Sequence, residues 1–115
     1  MRNDKENIIV EKTINFSLSI IKYCEALEQD RKYVIAKQLL RSGTGIGANI
    51  FEAQNAESKV DFIHKMKIAA KEADETEYWL LLCKESFEVT NDDQLLNDCG
   101  SILKVLSKII STSKG

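Results

Sequence analysis

The chain has 115 residues, which fits one domain around one core. Hydrophobic residues make up 43% and charged residues 30%, the balance of a globular protein rather than a disordered or fibrous one. The formal net charge of −2 lacks the basic excess of a general nucleic-acid binder, although it leaves room for a local basic face.

There is no proline, so nothing punctuates a mostly helical chain with short connections. The cysteines, Cys24, Cys83 and Cys99, are odd in number and form no CxxC, which indicates neither a disulfide framework nor a zinc site. Buried, inert thiols are expected. The opening MRNDKENIIV is charged and does not read as a signal peptide. No apolar run approaches the ~18 residues of a membrane span. A cytoplasmic location and no membrane partner are the expectations.

The first segment spans 4–28. Asn3 and Glu6 have capping-box spacing, and Ile9, Thr13, Phe16, Ile20, Cys24 and Leu27 recur in the alternating steps of an amphipathic helix. The second spans 30–54, with Ile35, Leu39, Ser42, Ile46, Ile50 and Ala53 on one face. The third spans 59–88 after a cap at Ser58 and Asp61, and carries Phe62, Met66, Ala69, Ala73, Leu80 and Phe87. The fourth spans 91–112 after Thr90-Asn91-Asp92-Asp93, with Leu95, Cys99, Ile102, Leu106 and Ile109. Gly100 weakens it by ~1 kcal/mol relative to alanine. Four long helices with short connections predict an all-α, antiparallel up-down-up-down four-helix bundle over residues 1–115.

Gly43-Thr44-Gly45-Ile46-Gly47-Ala48 matches GxGxxA, and Glu72 lies downstream where a dinucleotide fold places its ribose ligand. The context is wrong for that fold. Helical periodicity runs through the glycines, no second strand exists to pair with, and no Walker lysine follows. Gly43 and Gly47, four residues apart, instead read as positions of close helix packing. Each glycine costs ~1 kcal/mol of propensity, so this helix should lie between others.

A second apolar stripe on the same helix holds Tyr33, Leu40, Thr44, Gly47 and Phe51. The third helix adds Ile68, Tyr78 and Leu82, flanked by Trp79. A helix of an isolated bundle needs one apolar stripe; two predict a homo-oligomer interface through the second and third helices. Glu77 falls near the centre of the third helix's face and Asn49 edges that of the second, which predicts a polar core network with Arg41. The alternative is a metal or catalytic site using Glu52, His64, Glu72, Glu75 or Glu77. A di-iron bundle needs two Glu-x-x-His motifs. The chain has one histidine, so no metal, cofactor or catalytic residue is assigned.

The string Leu39 to Ala53, with Arg41-Ser42-Gly43-Thr44 and Ile46-Gly47-Ala48-Asn49-Ile50-Phe51-Glu52, resembles the signature of the 23S ribosomal RNA intervening-sequence protein family. Ile68-Ala69-Ala70 through Glu75, Glu77, Tyr78 and Leu80 resembles its second block. Gly45 replaces the family's common serine, and Ala53 its common glycine. The resemblance implies a four-helix bundle assembling into a ring, a pentamer, with no catalytic residues to carry over. It also implies an RNA or nucleoprotein setting, because a related accessory protein of diversity-generating retroelements binds nucleic acid. Candidate RNA contacts are Lys32, Lys37, Arg41, Lys65, Lys67 and Lys71. The leading expectation is a non-catalytic oligomer assisting an RNA or nucleoprotein process. The alternatives are a metal-binding or enzymatic bundle and a purely protein-binding ring.

Overall fold

The computed structural model describes residues 4–87 and 92–114, with side chains from Ile8 onward. They form α1 (Asp4–Gln29), α2 (Tyr33–Ala53), α3 (Lys59–Ser86) and α4 (Asp92–Lys114). Each helix packs on its neighbour in sequence, and α4 closes back on α1. Short connections turn successive helices antiparallel. The result is an up-down-up-down four-helix bundle with extents of 44 × 20 × 19 Å.

The core follows from the helical repeat. Ile9, Thr13, Phe16, Ile20, Cys24 and Leu27 of α1 are all buried, and so are Leu95, Cys99, Ile102, Leu106 and Ile109 of α4. In α2 the face turns slightly from the expected one: Ala36 and Gly43 are buried, and Ile35 is only half-buried. In α3 the buried row is Met66, Ala69, Ala73, Thr76, Leu80 and Cys83, with Phe62 and Phe87 half-buried near its ends. Each large aliphatic in these rows contributes roughly 1.5–3 kcal/mol by leaving water.

The helix ends have local causes. Lys32 N–H donates to Leu27 O at 2.8 Å and Arg31 N–H to Glu28 O at 2.9 Å. This is a Schellman-type cap with Arg31 in the left-handed region at φ 62°, where glycine is usual. The turn therefore occupies 30–32, and α2 starts at Tyr33 rather than Asp30. At α3, Asp61 N–H donates to Ser58 Oγ at 3.0 Å, and Glu57 N–H donates to Asp61 Oδ2 at 3.1 Å. Gln54 closes α2 by donating from Nε2 to Ile50 O at 3.0 Å, which satisfies a terminal carbonyl. α3 ends at Ser86 rather than at 88, because Phe87 leaves the helix with φ −126° and ψ 151°. The Asn3–Glu6 cap, the Thr90-Asn91 signal and the helix start expected at 91 lie outside the described residues.

The three glycines of α2 place it between two helices. A β-carbon at Gly43 would stand 2.8 Å from Ile20 Cγ2, and one at Gly47 would stand 3.3 Å from Thr13 Cβ and 3.4 Å from Ser17 Oγ. Both glycines face α1. A β-carbon at Gly45 would stand 2.9 Å from Glu72 Oε2, on α3. Helical periodicity continues through all three, and none has a positive φ. They are therefore sites of close approach, not a phosphate loop.

Candidate functional site

The contacts at Gly43 and Gly47 set the levels of α1 against α2: Ile20 opposes Gly43, and Thr13 and Ser17 oppose Gly47. One residue beyond each α1 contact, about 100° further round the helix, lie Ile14, Leu18 and Ile21. They are 47%, 54% and 40% exposed. The same step on α2 reaches Thr44 and Ala48, with Leu40 and Phe51 one turn to either side. Leu40 and Phe51 are 40% and 51% exposed. Tyr33 continues the row toward the start of α2 and is also exposed. The outer side of the α1/α2 seam thus carries an apolar ridge on α1 beside a row on α2 with small residues at its middle.

The residues expected to form an interface on α2 and α3 are placed as follows. The α2 stripe of Tyr33, Leu40 and Phe51 adjoins α1, because Gly43 and Gly47 turn that flank toward α1. Of the α3 residues, Tyr78 is exposed, whereas Ile68, Trp79 and Leu82 are half-buried. Trp79 packs edge-on to Tyr78 and donates from Nε1 to Glu75 Oε2 at 2.9 Å. The ridge residues Ile14, Leu18 and Ile21 are not among the residues the sequence marks for an interface. Their spacing was the available signal, a second apolar row beside the core row of α1.

The predicted polar core of Arg41, Asn49 and Glu77 does not come together. Arg41 is half-exposed and pairs with Glu72 and Glu75 on α3, bonding Glu72 Oε2 at 3.4 Å. Glu72 reaches it across α2 because Gly45 has no side chain to obstruct the carboxylate. Asn49 donates from Nδ2 to Gly45 O of its own helix at 2.8 Å. Glu77 lies on the α4 side, half-buried, and its charge is felt at Cys99. The polar pair at the core is Ser42 and Thr76 instead, with hydroxyls 2.9 Å apart. Thr76 Oγ1 also donates to Glu72 O at 2.8 Å. The buried steps of α3 run 66, 69, 73, 76, 80 and 83. That phase carries position 76 inward and turns 77 aside.

The cationic candidates are scattered and partly engaged. Lys65 pairs with Asp61 at 3.8 Å, and Lys32 Nζ lies 4.9 Å from the centroid of the Phe87 ring. Lys37 and Lys71 are exposed on α2 and α3. Lys67 neighbours Lys114 of α4, and that side-chain contact, then the like charge, hold its ammonium below the usual lysine range.

The remaining reactive groups serve the core. Burial pushes the thiols of Cys24 and Cys99 up to about 12 and raises that of Cys83. All three are free and buried. Tyr23 donates to Asp92 Oδ1, and burial followed by that bond lifts its phenol well above the ordinary tyrosine range. His64 is exposed. Among the described residues no group of three His, Cys, Asp or Glu side chains could hold a metal, and no helix is long and apolar enough to cross a membrane.

An all-helical, antiparallel four-helix bundle defines the class, and comparison places the chain within it. Residues 5–108 match the 23S rRNA-intervening sequence protein family. The chain belongs to that family. It is similar to a solved protein of unknown function from the S23 ribosomal protein family of Bacteroides thetaiotaomicron VPI-5482. The two share 44% identity over 93% of this chain and 98% of that one, with a TM-score of 0.89. No curated protein matches.

Proposed function

We propose that the protein is a non-catalytic bundle that works by associating with copies of itself. The observation that carries this is the number of large apolar side chains left outside a filled core. Ile14, Leu18 and Ile21 of α1, Tyr33, Leu40 and Phe51 of α2, and Tyr78 and Leu81 of α3 are all at least 40% exposed. Scattered single exposures are ordinary, but adjoining apolar rows such as those of α1 and α2 mark an interaction surface. A ring of five, as the resemblance implies, is the finer form of this reading. Sedimentation velocity from 1 to 100 µM tests it: mass above one chain at the upper end supports it, and a monomer throughout overturns it.

Contact with RNA or a nucleoprotein is the second reading. What favours it is the adjacency of Lys67 and Lys114, two cations side by side, with Lys71 one turn along α3. A gel shift with structured RNA should then show binding at low salt that weakens steeply as salt rises. Lys67→Glu together with Lys114→Glu should abolish the shift, and absence of binding at low salt defeats the reading.

A further inference from the structure

We propose that the groove where α1 turns into α2 binds a small aromatic anion, a flat ring joined to a carboxylate or phosphate. This goes beyond the self-association proposed above and does not rest on it. The first observation is shape. The groove has a volume of about 370 Å³ and lies between the 30–32 turn, the start of α2 and the end of α3. Small-molecule clefts span ~300–1,000 Å³ and join a mainly apolar lining to a few polar groups. Tyr33, Val34, Ile35, Trp79 and Phe87 supply the apolar lining here. Val34 is 81% exposed, so the core of the bundle makes no use of it.

The second observation is a preformed aromatic wall. Trp79 donates from Nε1 to Glu75 Oε2 at 2.9 Å and meets Tyr78 edge-on, with ring centroids 5.4 Å apart. These contacts hold the indole in place before a ligand arrives, so binding need not order it. A fixed aromatic surface favours another flat ring, by offset stacking or edge contact.

The third observation is charge. Arg31 and Lys32 line the groove, and among the described residues no carboxylate does. Lys32 Nζ lies 4.9 Å from the centroid of the Phe87 ring, which keeps a cation against the aromatic surface. Arg31 is exposed and makes no ion pair among the described residues. Its backbone sits at φ 62°, where glycine is the easier residue. Residues held in such conformations cluster at ligand sites, and the guanidinium is what glycine would not supply. Gln38, also in the lining, accepts at Oε1 from Arg41 Nη2 at 3.4 Å, so its remaining polar group is the Nε2 donor. Two cations and a donor beside apolar surface match an anionic group carried on a ring. Carboxylate and phosphate share the two-oxygen face that a guanidinium grips. A neutral ring would leave the cations unused, and a simple anion would leave the aromatic wall unused.

Trp79 is the single tryptophan of the chain, so its fluorescence reports on the groove directly. The full chain is titrated with phenylacetate and with adenosine monophosphate. Phenylacetamide, adenosine, acetate and inorganic phosphate serve as controls that lack either the charge or the ring. At least one aromatic anion should change the Trp79 emission saturably, and the controls should bind about tenfold more weakly or worse. Saturation by phenylacetate alone assigns a carboxylate ligand, and saturation by adenosine monophosphate alone assigns a nucleotide. Arg31→Gly should weaken binding about fivefold or more while far-UV circular dichroism shows it folded, and Lys32→Gln should weaken it several-fold. His64→Ala, away from the groove, should bind as the wild type does. The proposal is overturned if neither aromatic anion gives a saturable change, or if the neutral analogues bind as tightly as the anions. It is also overturned if Arg31→Gly and Lys32→Gln both bind like the wild type. A monomeric wild type that binds would defeat the self-association reading and leave this site standing.

Discussion

Gly43 and Ile20 approach so closely that a β-carbon on the glycine would meet three side-chain atoms of Ile20, at 2.8, 3.0 and 3.3 Å. Ile20 is fully buried, so it has no free direction in which to retreat. The close seam between α1 and α2 depends on this absence of a side chain.

A glycine-to-alanine series should therefore separate by position. Alanine gains ~1 kcal/mol of helix propensity over glycine, whereas an extra methyl forced into a packed core costs about 1–3 kcal/mol. At Gly43 overpacking wins, and Gly43→Ala should lose about 1 kcal/mol or more. At Gly45 the obstacle is the end of the flexible Glu72 side chain, which can swing aside, so Gly45→Ala should be close to neutral. At Gly100 nothing lies within 4 Å, and Gly100→Ala should gain ~1 kcal/mol. Urea midpoints of the three variants decide the order, and equal gains at Gly43 and Gly100 would refute the packing account.

Arg31 offers a second backbone test. A residue with a β-carbon costs roughly 1–2 kcal/mol in the left-handed region, and glycine removes that cost at the expense of a more flexible unfolded chain. Arg31→Gly should raise stability by about 0.5–1 kcal/mol, seen as a higher melting temperature. A fall in melting temperature would mean that the Arg31 side chain makes a contribution larger than the backbone strain.

The same residue shows why parts of the fold were legible and others were not. The core rows of α1 and α4 follow from spacing alone, because each has one apolar row of clean alternating steps. The start of α2 was misplaced by three residues because its turn uses Arg31 where a glycine would have announced it. The polar core was misassigned for a different reason. Glu77 and Thr76 are neighbours on the α3 wheel, and only the packing of Ala69 and Ala73 fixes which one turns inward. The exposed row on α1 is not legible from aromatic content. The ridge on α1 is aliphatic, and its meaning depends on which side of α1 the glycines of α2 approach.

Ser42 and Thr76 form the buried polar contact in place of the expected carboxylate. Thr76→Val keeps the volume but removes the hydroxyl and leaves Ser42 with only its long contact to Leu39 O at 3.4 Å. The loss should be about 1–2 kcal/mol, since a buried polar atom without a good partner bears its full desolvation cost. Ser42→Ala added to Thr76→Val should cost less than the sum of the two single changes, by roughly 0.5–1 kcal/mol. Glu77→Gln should change stability by less than about 0.5 kcal/mol, because Glu77 is half-buried outside the Ser42–Thr76 contact. Additivity of Ser42 and Thr76 would remove the case for a coupled pair.

The buried thiols predict a pH dependence with a definite sign. The ordinary thiol value is 9.0, and burial pushes Cys24 and Cys99 up to about 12. At Cys99, whose thiol donates to Ala73 O at 3.3 Å, the negative charges of Glu77 and Asp74 add to the effect of burial. Below pH 9 both folded and unfolded chains keep these protons, so neither thiol makes stability vary with pH. Between pH 9 and about 12 the unfolded chain releases protons that the folded chain retains. The unfolded state then binds fewer protons, and stability must fall as pH rises. Lysines and tyrosines also titrate in this window, so the measurement is a difference: urea midpoints at pH 8.5, 10 and 11 for the wild type and for Cys24→Ala and Cys99→Ala. Each variant should start lower, because of the space it leaves, and decline less steeply with pH. Parallel declines in the wild type and both variants would show that these thiols ionise no differently when folded.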